Sequence, residues 1–233
     1  MHDRDHLKSL AAQRAVEFVE NGMVLGLGTG STAAFVVEHL AARVARGLSV
    51  VAIPTSEHTA ELARHLHIPL TNFAAHHRLD LAIDGADEVQ RGSLALVKGG
   101  GGALLREKIV AAASARFIVV VDQDKLVDRL GQHMPLPVEI VQFGWQATML
   151  ALQNLGAVPE LRRADAGPFV TDGGNYIADC HFGMIDDPAR LENLLNMTVG
   201  VVDNGLFVGR ASQVIVATDI GVEILAGNER NIR

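Results

Sequence analysis

Short apolar runs alternate with helically spaced apolar positions through the first half of the chain. Runs typical of buried strands stand at residues 23–27, 50–53, 79–83, 94–97 and 117–121. Apolar residues three or four positions apart, the spacing of an amphipathic helix, occur at residues 8–20, 31–44, 60–66 and 104–112. Strands that alternate with helices predict a parallel sheet covered by helices, and therefore an α/β fold.

The pattern changes near residue 131. Residues 135–207 are predicted to form a strand, a helix, two strands around Asp172-Gly173-Gly174-Asn175, a helix and a strand, an order typical of a ferredoxin-like module. A last apolar run at residues 214–217 can rejoin the first sheet. We therefore predict a Rossmann-like domain of residues 1–130 plus 208–233, with a ferredoxin-like α+β domain of residues 131–207 inserted into it.

Composition narrows the classes of function. The chain has 233 residues, 48% of them hydrophobic, and 23 glycines, which suits an aliphatic α/β protein. The net charge of -7 argues against a protein that coats nucleic acid, so we expect no nucleic-acid partner and a local site for any anion. A single cysteine, Cys180, excludes an internal disulfide, and no membrane-spanning apolar run or secretory leader is apparent. We expect a cytoplasmic protein without a membrane partner.

The stretch Gly26-Leu27-Gly28-Thr29-Gly30-Ser31-Thr32 follows the first predicted strand and opens the next helix. Glycine amides and a helix N-terminus attract anions, and Ser31 or Thr32 can cap the helix. A plain strand-to-helix turn is the alternative. A dinucleotide is disfavoured, because Ser31 replaces the third glycine of its fingerprint and Pro54-Thr55 replace the acidic residue after the second strand. The loop thus predicts a site for a smaller phosphate.

Three carboxylates follow the third predicted strand, in Asp84-Gly85-Ala86-Asp87-Glu88. Open α/β sheets bind ligands at the carboxyl ends of their strands, although Asp-Gly is also an ordinary turn pair. Two acids that converge on one site acquire separated proton affinities, and one can then serve as an acid while the other serves as a base.

Four glycines mark the entrance to the fourth predicted helix, in the segment of residues 98–108 that reads KGGGGALLREK. An ordered glycine run costs backbone entropy, so its presence indicates that a ligand must approach the backbone closely. The amides can form an anion hole, Lys98 can stabilise a negative oxygen, and Glu107 can act as a base. A surface Arg-Glu-Lys run after a flexible loop is the alternative.

In this order, GLGTGST, DGADE and KGGGGALLREK resemble the three signature segments of the ribose-5-phosphate isomerase type A family. Further similar segments are residues 122–125 (DQDK), 135–139 (PLPVE) and 171–175 (TDGGN), so the resemblance covers nearly the whole chain. The family interconverts ribose 5-phosphate and ribulose 5-phosphate without a metal or organic cofactor. The resemblance implies an aldose-ketose isomerase of the non-oxidative pentose phosphate pathway that works as a homodimer.

The resemblance also implies roles for individual residues. Glu107 would be the base that moves a proton between C2 and C1 through an enediolate, and Lys98 would stabilise the oxyanion. Asp84 and Asp87 would bind hydroxyls and assist ring opening or proton transfer. The residues implied to bind the substrate are Lys8, Thr29, Gly30, Ser31, Thr32, Gly85, Ala86, Gly99, Gly100, Gly101 and Lys125.

Two other functions remain open from the residues alone. A non-catalytic sugar-phosphate sensor would use the same loops for binding without turnover, and a nicotinamide-dependent oxidoreductase would use the first glycine loop. The pairs His65/His67 and His76/His77 lack cysteine or carboxylate partners at a recognised metal spacing, so we expect no metal site. Cys180 stands in an alternating segment and is expected to be a small buried residue.

Overall fold

The structure is a computed structural model that describes residues 3–226 of the chain. Residue contacts divide the chain into two units, and each is described by itself. The first unit comprises residues 1–86, 106–125 and 209–233, and the second comprises residues 87–105 and 126–208.

The helices and strands of the described residues follow one another along the chain. They are α1 Asp3–Val16, β1 Val24–Leu27, α2 Ser31–Val44, β2 Val51–Pro54, α3 Glu57–His65, β3 Leu79–Asp84, β4 Glu88–Gln90, β5 Leu96–Val97, α4 Leu104–Ala113, β6 Ser114–Asp122, β7 Leu126–Val127, β8 Leu136–Ile140, α5 Trp145–Asn154, β9 Val158–Leu161, β10 Arg163–Ala164, β11 Gly167–Pro168, β12 Tyr176–His181, α6 Pro188–Asn196, β13 Val201–Asn204, β14 Leu206–Phe207, β15 Gln213–Thr218 and β16 Gly221–Ala226. A short 3-10 helix, Gln123–Lys125, follows β6.

The first unit is built on a six-stranded sheet in the order β16-β15-β6-β3-β1-β2. The strands from β15 to β2 run parallel to one another. The predicted parallel sheet is confirmed, and so is the return of residues 214–217 to it as β15. The edge strand β16 is antiparallel to β15 and was not predicted, because its residues are mostly exposed and carry no core pattern.

Helices α1 and α2 share the core of the first unit with the sheet. Leu7, Ala11 and Ala15 recur every four residues in α1 and are all buried, so they form one apolar stripe. The predicted helix at residues 8–20 starts and ends earlier, at Asp3–Val16. After Val16 the chain passes through turns and reaches β1 by way of Gly22, which has a φ of +86°.

The second unit contains a four-stranded antiparallel sheet in the order β13-β8-β12-β9. Helices α5 and α6 contribute Leu152 and Leu195 to its core, where Val138, Ala178 and Cys180 of the strands are also fully buried. The predicted succession of strand, helix, two strands, helix and strand is present. A small hairpin, formed by β10 and β11, lies between β9 and β12 in the chain. Its strands of two residues are too short to show a periodic pattern.

A second four-stranded sheet in this unit, of order β14-β5-β4-β7, was not predicted. Its strands are two or three residues long. Because β4 and β5 pair with β7 and β14, residues 87–105 and 126–130 are grouped with the second unit. The sequence-based division assigned them to residues 1–130 instead. Residues 1–2 and 227–233 of that predicted domain lie outside the described residues.

Candidate active site

The carboxyl ends of the parallel strands in the first unit bring several predicted residues to one edge of the sheet. In the pairing register, Leu27 stands opposite both Pro54 and Ile83. The segment that begins at Gly28 and the residue Asp84 therefore start at the same level of the sheet. This is the edge where open α/β sheets bind ligands.

The glycines of the first loop meet different demands. A Cβ on Gly26 would lie 2.3 Å from Val110 Cγ1 of α4, and a Cβ on Gly28 would lie 2.0 Å from Asp84 Oδ1. Gly30 has open space around it but adopts a φ of +105°, which favours glycine. The loop therefore lets α4 and Asp84 approach β1 closely.

Hydrogen bonds fix the side chain of Asp84 at this edge of the sheet. Its side chain is buried, and Oδ1 accepts hydrogen bonds from the backbone N–H groups of Thr29, at 3.1 Å, and Gly85, at 2.7 Å. The predicted site residues Thr29, Asp84 and Gly85 are therefore in direct contact, and Ala86 follows them in the chain. The first glycine loop and the first carboxylate of DGADE form one hydrogen-bonded group.

A cluster of four hydroxyls beside this loop was missed by sequence reasoning. Thr29 Oγ1 lies 2.7 Å from Thr55 Oγ1 and donates to Ser56 Oγ, which donates to Thr59 Oγ1. Thr59 Oγ1 in turn donates to the carbonyl of Gly28 at 2.9 Å. Thr55 and Ser56 follow β2, so the only signal in the sequence was hydroxyl residues after a second strand. The cluster ties the loop to the start of α3.

Gly30 is the N-cap of α2, and no side chain caps this helix. The expectation that Ser31 or Thr32 caps it is therefore wrong, because the helix begins one residue earlier than the cap requires and Ser31 is its first residue. The N–H groups in the first turn of a helix have no partner within the helix. Ser31 and Thr32 thus present backbone donors, hydroxyls and the positive end of the helix at this edge.

Lys8 and Lys125 lie on elements that are tied to each other. Arg4 Nη2 of α1 lies 2.7 Å from Asp124 Oδ2, in the 3-10 helix that follows β6. Lys8 stands one helical turn after Arg4 on the same face of α1, and Lys125 adjoins Asp124. Both predicted phosphate-binding lysines therefore belong to segments near the carboxyl end of β6.

Glu107 lies in the first turn of α4 and is buried. Arg106 Nη1 lies 2.9 Å from Glu57 Oε1 at the start of α3, which fixes the start of α4 at the carboxyl edge of the sheet. Val110 of the same helix packs on Gly26. Glu107 is one turn closer to the helix start than Val110.

The remaining predicted catalytic residues, Asp87 and Lys98, belong to the second unit. Asp87 Oδ2 accepts a 2.7 Å hydrogen bond from the N–H of Gly100. Lys98 follows β5 and is only 2% exposed, and its Nζ lies 5.6 Å from the ring centroid of Phe207. A positive charge on Lys98 in such a low-dielectric environment would act strongly on a nearby negative oxygen.

The glycine run after Lys98 is ordered by close contacts. Gly99 and Gly102 have φ values of +100° and +81°. A Cβ on Gly102 would lie 2.5 Å from the ring of Phe169. Gly100 and Gly101 are exposed, whereas Gly99 and Gly102 are buried. The run is thus a fixed loop with two accessible glycines in the middle.

Comparison with known proteins decides the family. A family model described as ribose 5-phosphate isomerase A (phosphoriboisomerase A) matches residues 51–221. A ribose-5-phosphate isomerase A of Gloeobacter violaceus is 61% identical over 223 residues, which cover 96% of this chain and 97% of that protein. The chain belongs to the ribose 5-phosphate isomerase A family. A second isomerase A, from Gluconobacter oxydans, is 56% identical over 93% of this chain and 94% of that one.

The similarity extends to structure. A solved D-ribose-5-phosphate isomerase, described as a complex with phospho-erythronic acid, has a TM-score of 0.93 at 42% identity and covers 96% of this chain and 99% of that one. The predicted interconversion of ribose 5-phosphate and ribulose 5-phosphate by an isomerase is therefore confirmed. The sensor and oxidoreductase hypotheses have no support from these isomerase A relatives.

Glu88 has a different role in this isomerase from the one that the crowding of acids suggested. Its buried carboxylate accepts hydrogen bonds from the backbone N–H groups of Gly131, at 2.6 Å, His133, at 2.6 Å, and Met134, at 3.0 Å. The third acid of DGADE therefore holds a loop. Because β4 begins at Glu88, strand alternation directs it differently from Asp87.

The expected burial of Cys180 is confirmed. Cys180 is fully buried in β12. Within residues 3–226, no three histidine, cysteine, aspartate or glutamate side chains are grouped as metal ligands would be. No helix in the same residues is long and apolar enough to cross a membrane.

Proposed function

We propose that Glu107 is the base that carries a proton between C2 and C1 of the open-chain pentose phosphate, through an enediolate. The observation that carries this proposal is a buried carboxylate in the first turn of α4, the helix that follows the glycine run. Aldose-ketose isomerisation needs one group that removes a proton from one carbon and returns it to the next, and a carboxylate can do both.

Stabilisation of the enediolate oxygens is assigned to Lys98 and to the loop of Gly99, Gly100 and Gly101. The support is the buried ammonium of Lys98 and the two accessible glycines that follow it. Donors that are already fixed in direction stabilise developing charge without reorganisation, and removal of one such donor costs about 100- to 1,000-fold in rate.

Asp84 and Asp87 are proposed to bind sugar hydroxyls and to assist ring opening or proton transfer between oxygens. Each carboxylate is oriented by backbone N–H groups, Asp84 by Thr29 and Gly85 and Asp87 by Gly100. Side chains held in this way keep their direction when the substrate changes from ring to open chain. Gly85 and Ala86 would present their backbone to the same hydroxyls.

The phosphate is assigned to the start of α2, with Gly30, Ser31 and Thr32 as donors and Lys8 and Lys125 as counter-charges. Thr29 would contribute by holding the loop, because its hydroxyl and N–H are engaged by the hydroxyl cluster and by Asp84. A helix N-terminus with lysines nearby binds a phosphate locally in a protein whose net charge is -7.

The test is Glu107→Gln, which keeps the size of the side chain and removes its basicity. We expect kcat for ribulose 5-phosphate formation to fall by about 1,000-fold, within the usual range for a positioned base, with little change in the affinity for phospho-erythronic acid. Glu61→Gln, an exposed glutamate of α3, is the matched control and should retain wild-type turnover.

Full turnover of a correctly folded Glu107→Gln protein would contradict the assignment of the base.

Three further expectations belong to this proposal. The order β13-β8-β12-β9, with α5 and α6 between strands, supports a ferredoxin-like module within residues 131–207. A homodimer is expected from the family and can be tested by light scattering. A cytoplasmic location remains the expectation from the single cysteine.

A further inference from the structure

Arg162 holds the backbone of the glycine loop through two carbonyl groups. Its Nη1 donates to the carbonyl oxygen of Gly99 at 2.9 Å and to that of Gly100 at 3.1 Å. Arg162 lies 62 residues after Gly100 in the chain, directly after β9. No sequence motif pointed to this residue, because the contact depends on the folding of the second unit.

The two carbonyl contacts decide which way the loop amides face. In a trans peptide the C=O of one residue and the N–H of the next point in opposite directions. With the carbonyls of Gly99 and Gly100 turned toward Arg162, the N–H groups of Gly100 and Gly101 must face away from it. The structure agrees at the first of these, because the Gly100 N–H donates to Asp87 Oδ2 on the other side.

Arg162 is itself held rigidly. Its Nε and Nη2 donate to the two carboxylate oxygens of Asp179 at 2.9 and 2.5 Å, and the two side chains are only 16% and 20% exposed. Its guanidinium lies 5.9 Å from the ring centroid of Phe169, the ring that also packs on Gly102. Asp179 belongs to β12, which pairs with β9, so the sheet fixes the direction of the guanidinium.

We propose that Arg162 is a positioning residue for the isomerisation. It aims the N–H of Gly101 at the substrate oxygens and keeps the N–H of Gly100 on the carboxylate of Asp87. This inference rests on the proposed role of the glycine loop in stabilising the enediolate. A planar guanidinium can bind a carboxylate with one edge and carbonyl oxygens with the remaining nitrogen. A lysine at this position has one charged nitrogen and cannot make both sets of contacts.

The test is Arg162→Lys, which keeps the positive charge but removes the planar guanidinium that binds both Asp179 and the two carbonyl oxygens. Because the loop would act on charge that develops in the transition state, we expect kcat to fall by about 10- to 100-fold with KM changed by less than about threefold. Affinity for phospho-erythronic acid, whose carboxylate resembles the enediolate oxygens, should fall by a similar factor. Affinity for inorganic phosphate should not change, since phosphate is assigned to α2.

Arg163→Lys is the matched control, because Arg163 is the exposed neighbour in β10 and should retain wild-type kinetics. Arg162→Ala gives a second measurement, in which added guanidinium is expected to restore part of kcat. Each variant is assayed well below its melting temperature, after circular dichroism has shown a native spectrum, so that kcat refers to folded protein.

Lys98→Gln and Gly100→Ala distinguish the proposed role of the glycine loop from the proposed role of Arg162. If these two variants keep wild-type kcat, the proposed role of the loop fails. If they lose kcat while Arg162→Lys keeps both kcat and the affinity for phospho-erythronic acid, the inference about Arg162 is overturned. Equal losses of affinity for phosphate and for phospho-erythronic acid would also overturn it, because they indicate general loosening of the structure.

Discussion

Glycine is required at position 28 by a neighbouring side chain. The space that a Cβ would need there is occupied by Asp84, whose Oδ1 would lie 2.0 Å away. At Gly30 the requirement comes from the backbone, at a φ of +105°. Two glycines two residues apart therefore meet different constraints, one set by the third strand and one by the start of α2.

Gly28→Ala should displace Asp84 from its hydrogen bonds with Thr29 and Gly85. We expect kcat to fall by about 100-fold, the effect of moving a group near the chemistry by about 1 Å. Gly47→Ala is the control, because Gly47 has open space for a Cβ. Its φ of +101° means that this substitution strains the backbone, so it can lower stability but should leave kcat unchanged. Steady-state kinetics on both variants check this. A Gly28→Ala enzyme as active as the control would contradict the placement of Asp84.

Burial raises the pKa of the Cys180 thiol from 9.0 to about 12, and the neighbouring Asp179 carboxylate adds to the effect. The unfolded chain therefore loses this proton at lower pH than the folded one, so the contribution of Cys180 to stability is complete below pH 9 and is lost as the pH rises toward 12. The full loss is about 4 kcal/mol, at about 1.4 kcal/mol for each unit of pKa.

Cys180→Ala should remove this pH dependence. Urea unfolding of the wild type and the variant at pH 8 and at pH 10.5 checks the prediction, with the wild type losing about 2 kcal/mol more than the variant between the two values. Iodoacetamide provides a second readout, since the folded wild type should resist labelling at pH 8.5. Rapid labelling of the native protein would show that the thiol is accessible.

At the scale of elements, two sets of polar side chains connect segments that lie far apart in the sequence. The hydroxyl cluster of Thr29, Thr55, Ser56 and Thr59 joins the loop after β1 to the start of α3. The carboxylate of Glu88 joins β4 to the loop at residues 131–134. Buried polar groups of this kind stabilise one arrangement because each loses its partner in any other.

Glu88→Gln should destabilise the second unit without touching the chemistry. The amide that replaces one carboxylate oxygen would face backbone N–H donors, so we expect the free energy of unfolding to fall by about 3 kcal/mol. Turnover per folded molecule should stay near that of the wild type. Urea titration and assays of the native fraction check both, with exposed Glu160→Gln as the control. A stable variant without activity would instead assign Glu88 to the site.

At the scale of the whole molecule, a net charge of -7 coexists with a proposed site for a doubly charged phosphate. Local cationic groups and helix ends must therefore provide the attraction. The proposed mechanism also places the enediolate charge on Lys98 and backbone amides, so it needs no metal ion.

Chelator treatment tests that feature of the mechanism. Enzyme dialysed against EDTA and assayed in metal-free buffer should form ribulose 5-phosphate at the same rate as untreated enzyme. Addition of Mg²⁺, Mn²⁺ or Zn²⁺ should not raise it. A loss of at least about tenfold in kcat that is restored by one of these ions would show that the stabilisation of the enediolate has been assigned to the wrong groups.

The prediction from sequence succeeded where the pattern was long. The parallel sheet follows from apolar runs such as residues 117–121, and the return of residues 214–217 to this sheet was predicted correctly. The prediction missed the sheet of β14, β5, β4 and β7, since strands of two or three residues show no period. Asp84, Asp87, Lys98 and Glu107 could be singled out because they stand in glycine-rich segments at strand ends.

The sequence by itself determined the fold class, the family and the set of groups available for chemistry, because periodicity, glycine runs and strand ends are local properties of the chain. Only the tertiary structure decided which groups meet. In the folded protein, Glu88 binds the loop at residues 131–134 and Thr29 binds hydroxyl groups that follow β2. Arg162 binds the carbonyl groups of Gly99 and Gly100. These contacts join residues about 30 to 60 positions apart, and hydrogen bonds over such separations depend on sheet register, which leaves no local pattern.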